Sequence, residues 1–191
     1  MAKIAVYLAD FNPVHLGHLE FALKARDKYL LNRIYFLPER NLSNNEYYVH
    51  LGHRVSMLRQ ALRPHKNFKI LELDYRFFTI NKTLPKIKEK FYDDEIYLLM
   101  DYKTYLRFKA TTNQNSILDS FKIILGLSSK DKKINLMKVP GNMPDIIYQK
   151  NLMINKQIQR ALFKNKFNEA GLLKSVVKYC VKNWVYILIS D

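Results

Sequence analysis

Apolar and polar residues follow two alternating patterns along most of this chain. Short apolar runs end in turn-forming residues, which is typical of buried strands, and they lie at 3–8, 33–38, 68–73, 95–101 and 120–127. Between them, apolar residues recur three or four apart, which predicts helices at 16–29, 53–62 and 80–91. Strands that alternate with helices at this spacing predict an α/β fold, with a parallel sheet and helices on both faces.

The pattern changes after about residue 150. Two helices are predicted there, at 155–165 and 171–188, the second with Leu172, Val176, Tyr179, Cys180 and Val181 near helical spacing. No linker rich in proline, glycine or serine separates them from the preceding part. We therefore expect one domain over residues 1–191, with an α/β core over 1–150 and a helical part over 151–191.

Composition narrows the class of protein. The chain has 191 residues, of which 48% are hydrophobic and 26% charged, as in a globular protein with one sizeable core. Its longest apolar runs, such as 96–100 and 184–189, are far shorter than the roughly 20 residues of a membrane span. The first residues show no signal-peptide cleavage site, so we expect a cytoplasmic protein. The single cysteine, Cys180, excludes an intramolecular disulfide and is expected to pack as a small apolar residue.

The formal net charge of +15 is unevenly distributed. Residues 1–101 have 16 Lys and Arg against 12 Asp and Glu, a balance of +4, whereas residues 102–191 have 16 against 5, a balance of +11. Such a field attracts polyanions, among them nucleoside triphosphates, nucleic acids and acidic membranes. A solvated lysine-rich face is the alternative. No run of aromatic residues interleaved with Lys and Arg suggests a base-stacking surface, so nucleic acid is not favoured as a partner.

The sequence FNPVHLGH, at 11–18, is the main candidate for chemistry. It follows the first predicted strand, and ligands of open parallel sheets bind at the carboxyl ends of strands. Backbone N–H groups near Gly17 and His18 at a helix start suit a phosphate. His15 and His18 are three residues apart, so both imidazoles are expected on one face of the first turn, where they can donate to phosphate oxygens. Capping or core histidines are the structural alternative. A metal pair is less favoured, because the usual spacing on a helix is four and no third ligand is found.

The same sequence resembles the signature of the nucleotidylyltransferase superfamily, and more closely that of the nicotinate or nicotinamide mononucleotide adenylyltransferases. Later segments are similar to that family in the same order: HRVSMLRQAL at 53–62, YRFFTINKTL at 75–84, YLLMD at 97–101 and LLKSVVKYCVKNWVY at 172–186. The resemblance implies a Rossmann-like doubly wound sheet with C-terminal helices. It also implies transfer of AMP from ATP to the mononucleotide, with release of pyrophosphate and with Mg²⁺ accompanying ATP.

The resemblance also implies roles for individual residues. His15 and His18 are the catalytic candidates, and Asn12 and Gly17 are expected to shape the phosphate pocket. Asp101 is expected to contact the ATP ribose or help to place the metal that comes with ATP. The candidates for the acceptor side are Asp10, Arg54, Phe78 and Thr79, of which Phe78 and Thr79 are expected to hold the pyridine ring.

Two departures from the family pattern bear on activity. Where the family has two glycines and then Ser or Thr, this chain has Leu8, Ala9 and Asp10. A carboxylate about 4 Å from a phosphate costs on the order of 4 kcal/mol per charge pair at an effective dielectric near 20. Either Asp10 points away from the phosphates, or it holds a cation, or ATP binds poorly.

The second departure concerns the family's late Ser-Ser-Thr-x-x-Arg motif, which normally binds the triphosphate. The matching stretch here is MINKQIQR at 153–160, in which Asn155 is a candidate cap and Lys156 and Arg160 supply positive charge. LGLSSKDKK at 125–133 offers Lys130 as a substitute, with a solvated lysine loop as the alternative.

Two hypotheses follow. The chain is an active adenylyltransferase, or it is a same-fold nucleotide-binding protein that has lost this chemistry or uses another acceptor. The sequence leaves open whether the acceptor has a carboxylate or an amide, and it does not set the oligomeric state.

Overall fold

A computed structural model describes residues 1–40, 49–73, 78–110, 117–128, 144–149, 158, 162, 164 and 171–186. Its strands are β1 (Lys3–Ala9), β2 (Arg33–Pro38), β3 (Phe68–Ile70), β4 (Glu95–Asp101), β5 (Lys122–Ser128) and β6 (Asp145–Gln149). They form a parallel sheet in the order β3-β2-β1-β4-β5-β6. This is the strand order of a doubly wound Rossmann-like fold, as the sequence predicts.

The helices are α1 (Leu16–Tyr29), α2 (Leu51–Leu62), α3 (Ile80–Lys90), α4 (Tyr102–Ala110) and α5 (Lys174–Lys182), with a short 3₁₀ helix at Ile117–Ser120. In the part of the chain that the structure describes, no helix has the length and apolar character needed to cross a bilayer.

The helices cover both faces of the sheet, which confirms the expected layering. Buried side chains of α1, α2 and α5 form one core with one face of the sheet, and those of α3 and α4 form a second core with the other face. The central strand β1 contributes to both, because successive side chains point to opposite faces. Tyr7 lies in the first core, whereas Val6 and Leu8 lie in the second.

The strands predicted at 3–8, 33–38 and 95–101 and the helices predicted at 16–29, 53–62 and 80–91 are confirmed to within two residues. Two predictions were too long: the strand at 68–73 ends at Ile70, and the helix at 171–188 is limited to Lys174–Lys182. The strand β6 and the helix α4 were not predicted from the sequence. Of the helix predicted at 155–165, Ile158 and Leu162 are described and buried, and most of the rest lies outside the described residues.

The C-terminal helix α5 packs on α2 in the first core. Cys180 is fully buried, with its Sγ 3.6 Å from the Sδ of Met57, and burial raises the pKa of its thiol to about 12. The prediction that Cys180 packs as a small apolar residue is confirmed. On the same helix, the Tyr179 hydroxyl lies 3.0 Å from the Nδ1 of His53 in α2.

Candidate active site

The FNPVHLGH loop lies where the strand order reverses. It connects β1 to α1, and β1 is flanked by β2 on one side and β4 on the other. The chain proceeds outward from β1 through β2 and β3, then returns to β4 on the opposite side, which leaves a crevice at the carboxyl ends of β1 and β4. Both the loop and Asp101, the last residue of β4, are at this edge of the sheet.

The loop turns sharply and is almost completely buried. Phe11 has a left-handed φ of 47°, and Asn12 and Phe11 are both 0% exposed. His15 is extended, with φ −139° and ψ 171°, and is the N-cap of α1, so the helix begins at Leu16. A buried loop at the carboxyl edge can position side chains and amides for a ligand only if its own polar groups are bonded within the protein.

The two histidines lie together, as their spacing predicts. Their ring centroids are 3.7 Å apart with an interplanar angle of 31°, and the side chains are 3% and 7% exposed. The backbone N–H of His15 donates to the Nδ1 of His18 over 3.2 Å. Since Nδ1 accepts, the proton of a neutral His18 ring is on Nε2. The structure therefore holds His18 in the tautomer that presents an Nε2–H donor.

The surroundings of His18 favour the neutral imidazole. Its ring packs edge-on against Phe11, with centroids 5.0 Å apart, and against Tyr7, with centroids 5.9 Å apart. Burial, and secondarily the charge of His15, lower the pKa of His18 well below its ordinary value of 6.5. At neutral pH this side chain donates a hydrogen bond without carrying a charge.

The first turn of α1 offers fewer amides than expected. The N–H of Leu16 donates to the carbonyl of Gly171 over 3.0 Å, and the N–H of His18 donates to the carbonyl of His15 over 3.0 Å. The prediction of a free His18 amide was wrong, because the turn closes on itself. Within the described residues, the N–H of Gly17 has no carbonyl acceptor. Gly17 is thus the remaining backbone donor of this turn.

Three distant side chains hold the loop and the start of α1. The hydroxyl of Tyr186 donates to the Oδ1 of Asn12. Gln149, with its amide in the orientation that satisfies both neighbours, donates to the carbonyl of Gly17 over 3.1 Å and accepts from the N–H of Phe21 over 3.3 Å. Arg54 binds the carbonyl of Asp10, just before the loop. The loop is therefore fixed by β6, α2 and the C-terminal segment together.

Arg54 is a fully buried side chain of α2 that donates to three backbone carbonyls. Its Nε donates to the carbonyl of Val49 over 3.0 Å, and its two terminal nitrogens donate to the carbonyls of Asp10 over 2.6 Å and Arg40 over 2.9 Å. These bonds place Arg54 beneath the loop. They fix the backbone of Asp10 at the point where the chain leaves β1.

The residues that depart from the family pattern occupy different environments. Leu8 is fully buried in the second core, between the sheet and the helices α3 and α4. Asp10 is half-buried, and its negative charge contributes to raising the pKa of the hydroxyls of Tyr7 and Tyr186, for both of which burial is the main cause. Asp101 also raises the pKa of Tyr7. Two carboxylates are thus close to the same buried tyrosine at the crevice.

Asp101 and Thr79 each cap a helix. The Oδ1 of Asp101 accepts from the N–H of Thr104 over 2.7 Å at the start of α4. The Oγ1 of Thr79 accepts from the N–H of Lys82 over 3.2 Å at the start of α3. Both side chains are exposed. Each cap occupies one acceptor position of the side chain. The side chain itself remains exposed beside the crevice.

A buried carboxylate that sequence analysis missed joins this region together. Glu39 directly follows β2, and its N–H donates to the carbonyl of Ala9 over 2.9 Å. Its Oε1 accepts from the N–H of Phe78 over 3.0 Å, and its carboxylate pairs with the guanidinium of Arg107 at 3.1 Å. The sequence feature that could have identified Glu39 as a site residue is its position just after a strand, at the carboxyl edge of the sheet. Phe78 is itself buried, so its ring belongs to the second core.

The structure thus brings Asp10, Asn12, His15, Gly17, His18, Arg54, Phe78, Thr79 and Asp101 to one edge of the sheet. The other phosphate candidates, Lys130, Asn155, Lys156 and Arg160, lie outside the described residues. Among the described residues, no group of three or more His, Cys, Asp or Glu side chains is arranged to hold a metal ion.

A parallel sheet in this order, with a buried His-x-Gly-His loop at its switch point, defines a Rossmann-like α/β protein whose candidate site lies at the start of α1. The chain belongs to the cytidylyltransferase-like family, which it matches over residues 6–165. The match begins within β1 and includes the loop, most of both cores and most of the sheet. The family resemblance found in the sequence is confirmed.

Relatives in other organisms are similar over much of the chain. A protein of Dictyoglomus thermophilum named "Probable nicotinate-nucleotide adenylyltransferase" is 24% identical over 194 residues, which cover 97% of this chain and 100% of that protein. A protein of the same name from Aquifex aeolicus is 29% identical over 124 residues, or 63% of this chain and 74% of that one.

Solved structures have the same fold. Nicotinic acid mononucleotide adenylyltransferase of Plasmodium falciparum, complexed with NaAD, superimposes with a TM-score of 0.78. The alignment covers 97% of this chain and 98% of that one, at 15% sequence identity. At this level of identity, the similarity establishes the fold.

Proposed function

We propose that this protein transfers the adenylyl group of ATP to nicotinate mononucleotide and releases pyrophosphate, a reaction of NAD biosynthesis. The buried His15–His18 pair at the switch point, in a chain of this family, is the observation that carries the proposal. The full-length relative from Dictyoglomus thermophilum supports it by its name, as does the Plasmodium falciparum structure with NaAD.

In this reaction an oxygen of the acceptor's 5′-phosphate attacks the α-phosphorus of ATP in line. The new bond joins that oxygen to the α-phosphorus, and the bond from the α-phosphorus to the bridging oxygen of pyrophosphate breaks. Catalysis of such a transfer depends mainly on positioning and on stabilising charge at the phosphate oxygens. ATP enters as its Mg²⁺ complex, so the metal arrives with the substrate. We place the reaction in the cytoplasm, since ATP is the donor.

The His-x-Gly-His loop supplies the donors. His18 directs its Nε2–H, and His15 its imidazole, at the phosphate oxygens of ATP. The N–H of Gly17 and the amide of Asn12 add hydrogen bonds on the same side. A neutral His18 donor in a dry site stabilises developing charge without a proton transfer.

The opposite side of the crevice receives the acceptor and the ribose. Thr79 holds the pyridine mononucleotide through its hydroxyl at the exposed start of α3. Phe78, whose ring is buried in the second core, supports that helix start through the bond of its N–H to Glu39. Asp101, at the start of α4, contacts the ATP ribose or would help to place the Mg²⁺ that comes with ATP. Asp10 and Arg54 shape the acceptor side, with Arg54 acting through the carbonyl of Asp10 that it binds.

The triphosphate tail requires cations beyond the loop. Lys130, Lys156 and Arg160 are our cationic candidates for it, with Asn155 as a candidate helix cap, and the net charge of +15 favours binding of the anionic nucleotide.

Pyrophosphate release from Mg·ATP tests the proposal. Purified protein is supplied with nicotinate mononucleotide or its amide analogue, and the dinucleotide product is separated by chromatography. His18→Ala is expected to lower kcat by about 100-fold or more, the usual loss of a donor to developing charge. His65→Ala, which removes an imidazole outside the crevice, serves as the matched control and is expected to retain activity. Absence of pyrophosphate with both acceptors from wild-type protein contradicts the proposal.

Asp10 motivates a second candidate, a same-fold protein that binds nucleotide without turning it over. Its carboxylate lies near Tyr7 and Tyr186 at the end of β1, where the family pattern has a neutral residue. Calorimetry with Mg²⁺ and a non-hydrolysable ATP analogue separates the two candidates. Binding without turnover in wild-type protein, together with gain of turnover in Asp10→Ser, favours the second. Turnover at about 1 per second or more by wild-type protein favours the first.

A further inference from the structure

The C-terminal segment, residues 171–186, contacts the His-x-Gly-His loop at two points. The hydroxyl of Tyr186 donates to the Oδ1 of Asn12, a bond between residues 174 positions apart. The carbonyl of Gly171 accepts from the N–H of Leu16 over 3.0 Å. The two contacts lie on either side of His15. One short segment of the chain therefore fixes both ends of the stretch that carries the first histidine.

The Tyr186–Asn12 bond is shielded from water. Tyr186 is 4% exposed and Asn12 is 0% exposed. A hydrogen bond between buried partners defines geometry more strictly than one at the surface, since water does not replace it when it breaks. Burial also raises the pKa of Tyr186 well above 10.0, so the hydroxyl remains a donor throughout the neutral range.

The direction of this bond determines what Asn12 presents to a ligand. A side-chain amide has an oxygen acceptor at one end and an NH₂ donor at the other. Because Tyr186 donates to Oδ1, the oxygen end of the Asn12 amide faces the C-terminal segment. The NH₂ group therefore lies at the opposite end of the amide, away from the hydroxyl.

We propose that Tyr186 is a positioning residue for adenylyl transfer, which acts through Asn12 to hold the His-x-Gly-His loop in its reactive geometry. The proposal rests on the proposed function for its kinetic test. Tyr186 itself does not touch the substrate. Its side chain comes from beyond α5, so the C-terminal segment is a structural part of the site at the far end of the chain.

Tyr186→Phe tests the proposal, because it removes one oxygen and keeps the ring that packs in the core. Loss of positioning is expected to lower kcat by about 10- to 100-fold, as small misplacements of catalytic groups do. Substrate KM values are expected to change much less than kcat. The rate is divided by the concentration of folded protein, so that a loss of stability alone leaves kcat unchanged.

Tyr179→Phe is the matched control. It makes the same change in α5, and it removes the contact between the hydroxyl and Nδ1 of His53, which are 3.0 Å apart and belong to no residue of the loop. We expect wild-type kcat for this variant. Equal kcat in Tyr186→Phe and Tyr179→Phe overturns the proposal.

A double-mutant cycle with Asn12→Ala tests the route through the amide. If Tyr186 acts through Asn12, then Tyr186→Phe has little further effect on kcat in the Asn12→Ala background. Independent, multiplicative losses overturn this route.

A measurement without substrate separates this proposal from the proposed function. In ligand-free protein, the imidazole nitrogen resonances of His18 are expected to move in Tyr186→Phe and to remain in place in Tyr179→Phe. If wild-type protein releases no pyrophosphate, the proposed function fails, and these resonances still test the positioning of the loop. Unchanged His18 resonances in Tyr186→Phe overturn the positioning role.

Discussion

The loop after β1 and the helix starts beside it share one edge of the sheet but are stabilised differently. Asn12, in the loop, is fully buried and bonded to a hydroxyl 174 positions away. Asp101 and Thr79, at the helix starts, are exposed, and each accepts from an amide three positions away. The Asn12 side chain is thus held by a residue far away in the chain, whereas the Asp101 and Thr79 side chains bond within their own helices. The loop side of the crevice depends on the completed fold, and the capping side chains opposite it are set by local bonds.

The largest effect is expected when Arg54 is replaced. Arg54→Met removes three part-buried hydrogen bonds from a charged donor. Bonds to charged groups contribute about 1.5–3 kcal/mol each, so the free energy of unfolding is expected to fall by about 3 kcal/mol or more. Arg59→Met, in the same helix, is the control. The Arg59 side chain is 64% exposed, and its ion pair with Glu72 is long, at 3.5 Å. Surface changes of this kind stay within about 0.5 kcal/mol. Urea unfolding measures both variants, and equal losses contradict the dependence of the loop on long-range bonds.

The second test uses pH. The folded protein holds His18 neutral, with its pKa below 6.5, so the unfolded chain binds the proton more readily. The free energy of unfolding is therefore expected to fall as pH decreases below 6.5, by up to about 1.4 kcal/mol per pH unit from this group. His18→Asn removes that component and is expected to flatten the slope. His65→Asn is the comparison at a less buried site, where burial and Arg26 also lower the pKa. A slope as steep in His18→Asn as in wild-type protein contradicts the buried neutral imidazole.

The third and smallest effect concerns the local caps. Asp101→Ala removes the acceptor for the N–H of Thr104 and is expected to cost about 1 kcal/mol, whereas Asp101→Asn retains a capping oxygen and is expected to cost less. Thermal unfolding compares the two variants. If both lose the same stability, the carboxylate is held by interactions beyond the helix, and the contrast with the loop becomes weaker.

Sequence patterns predicted the central strands and the first three helices because these elements bury regular apolar stripes. Two elements were missed for identifiable reasons. The helix α4 follows β4 with no intervening turn residue, and only Tyr105 and Phe108 are buried on it. The edge strand β6 is short and alternates buried and exposed positions, with Tyr148 exposed, so it lacks the continuous apolar run of the central strands.

The site was predictable to the extent that it is local in sequence. The spacing of His15 and His18 predicts that their side chains lie on one face if the helix begins at about His15, and the two rings do lie together. The partners of the loop were not predictable. In the sequence, Tyr186 is one more apolar residue of a predicted C-terminal helix, and Arg54 is a polar residue of a predicted amphipathic helix. Only the folded chain shows that the hydroxyl of Tyr186 and the guanidinium of Arg54 meet the loop.

The central strand β1 gives Tyr7 to one core and Val6 and Leu8 to the other. We expect neither core to unfold alone, because the loss of either one uncovers a face of the strand that the other needs. The described sheet is then expected to unfold cooperatively. Since the histidine loop begins two residues after β1 ends, we expect it to lose its structure on heating together with the sheet.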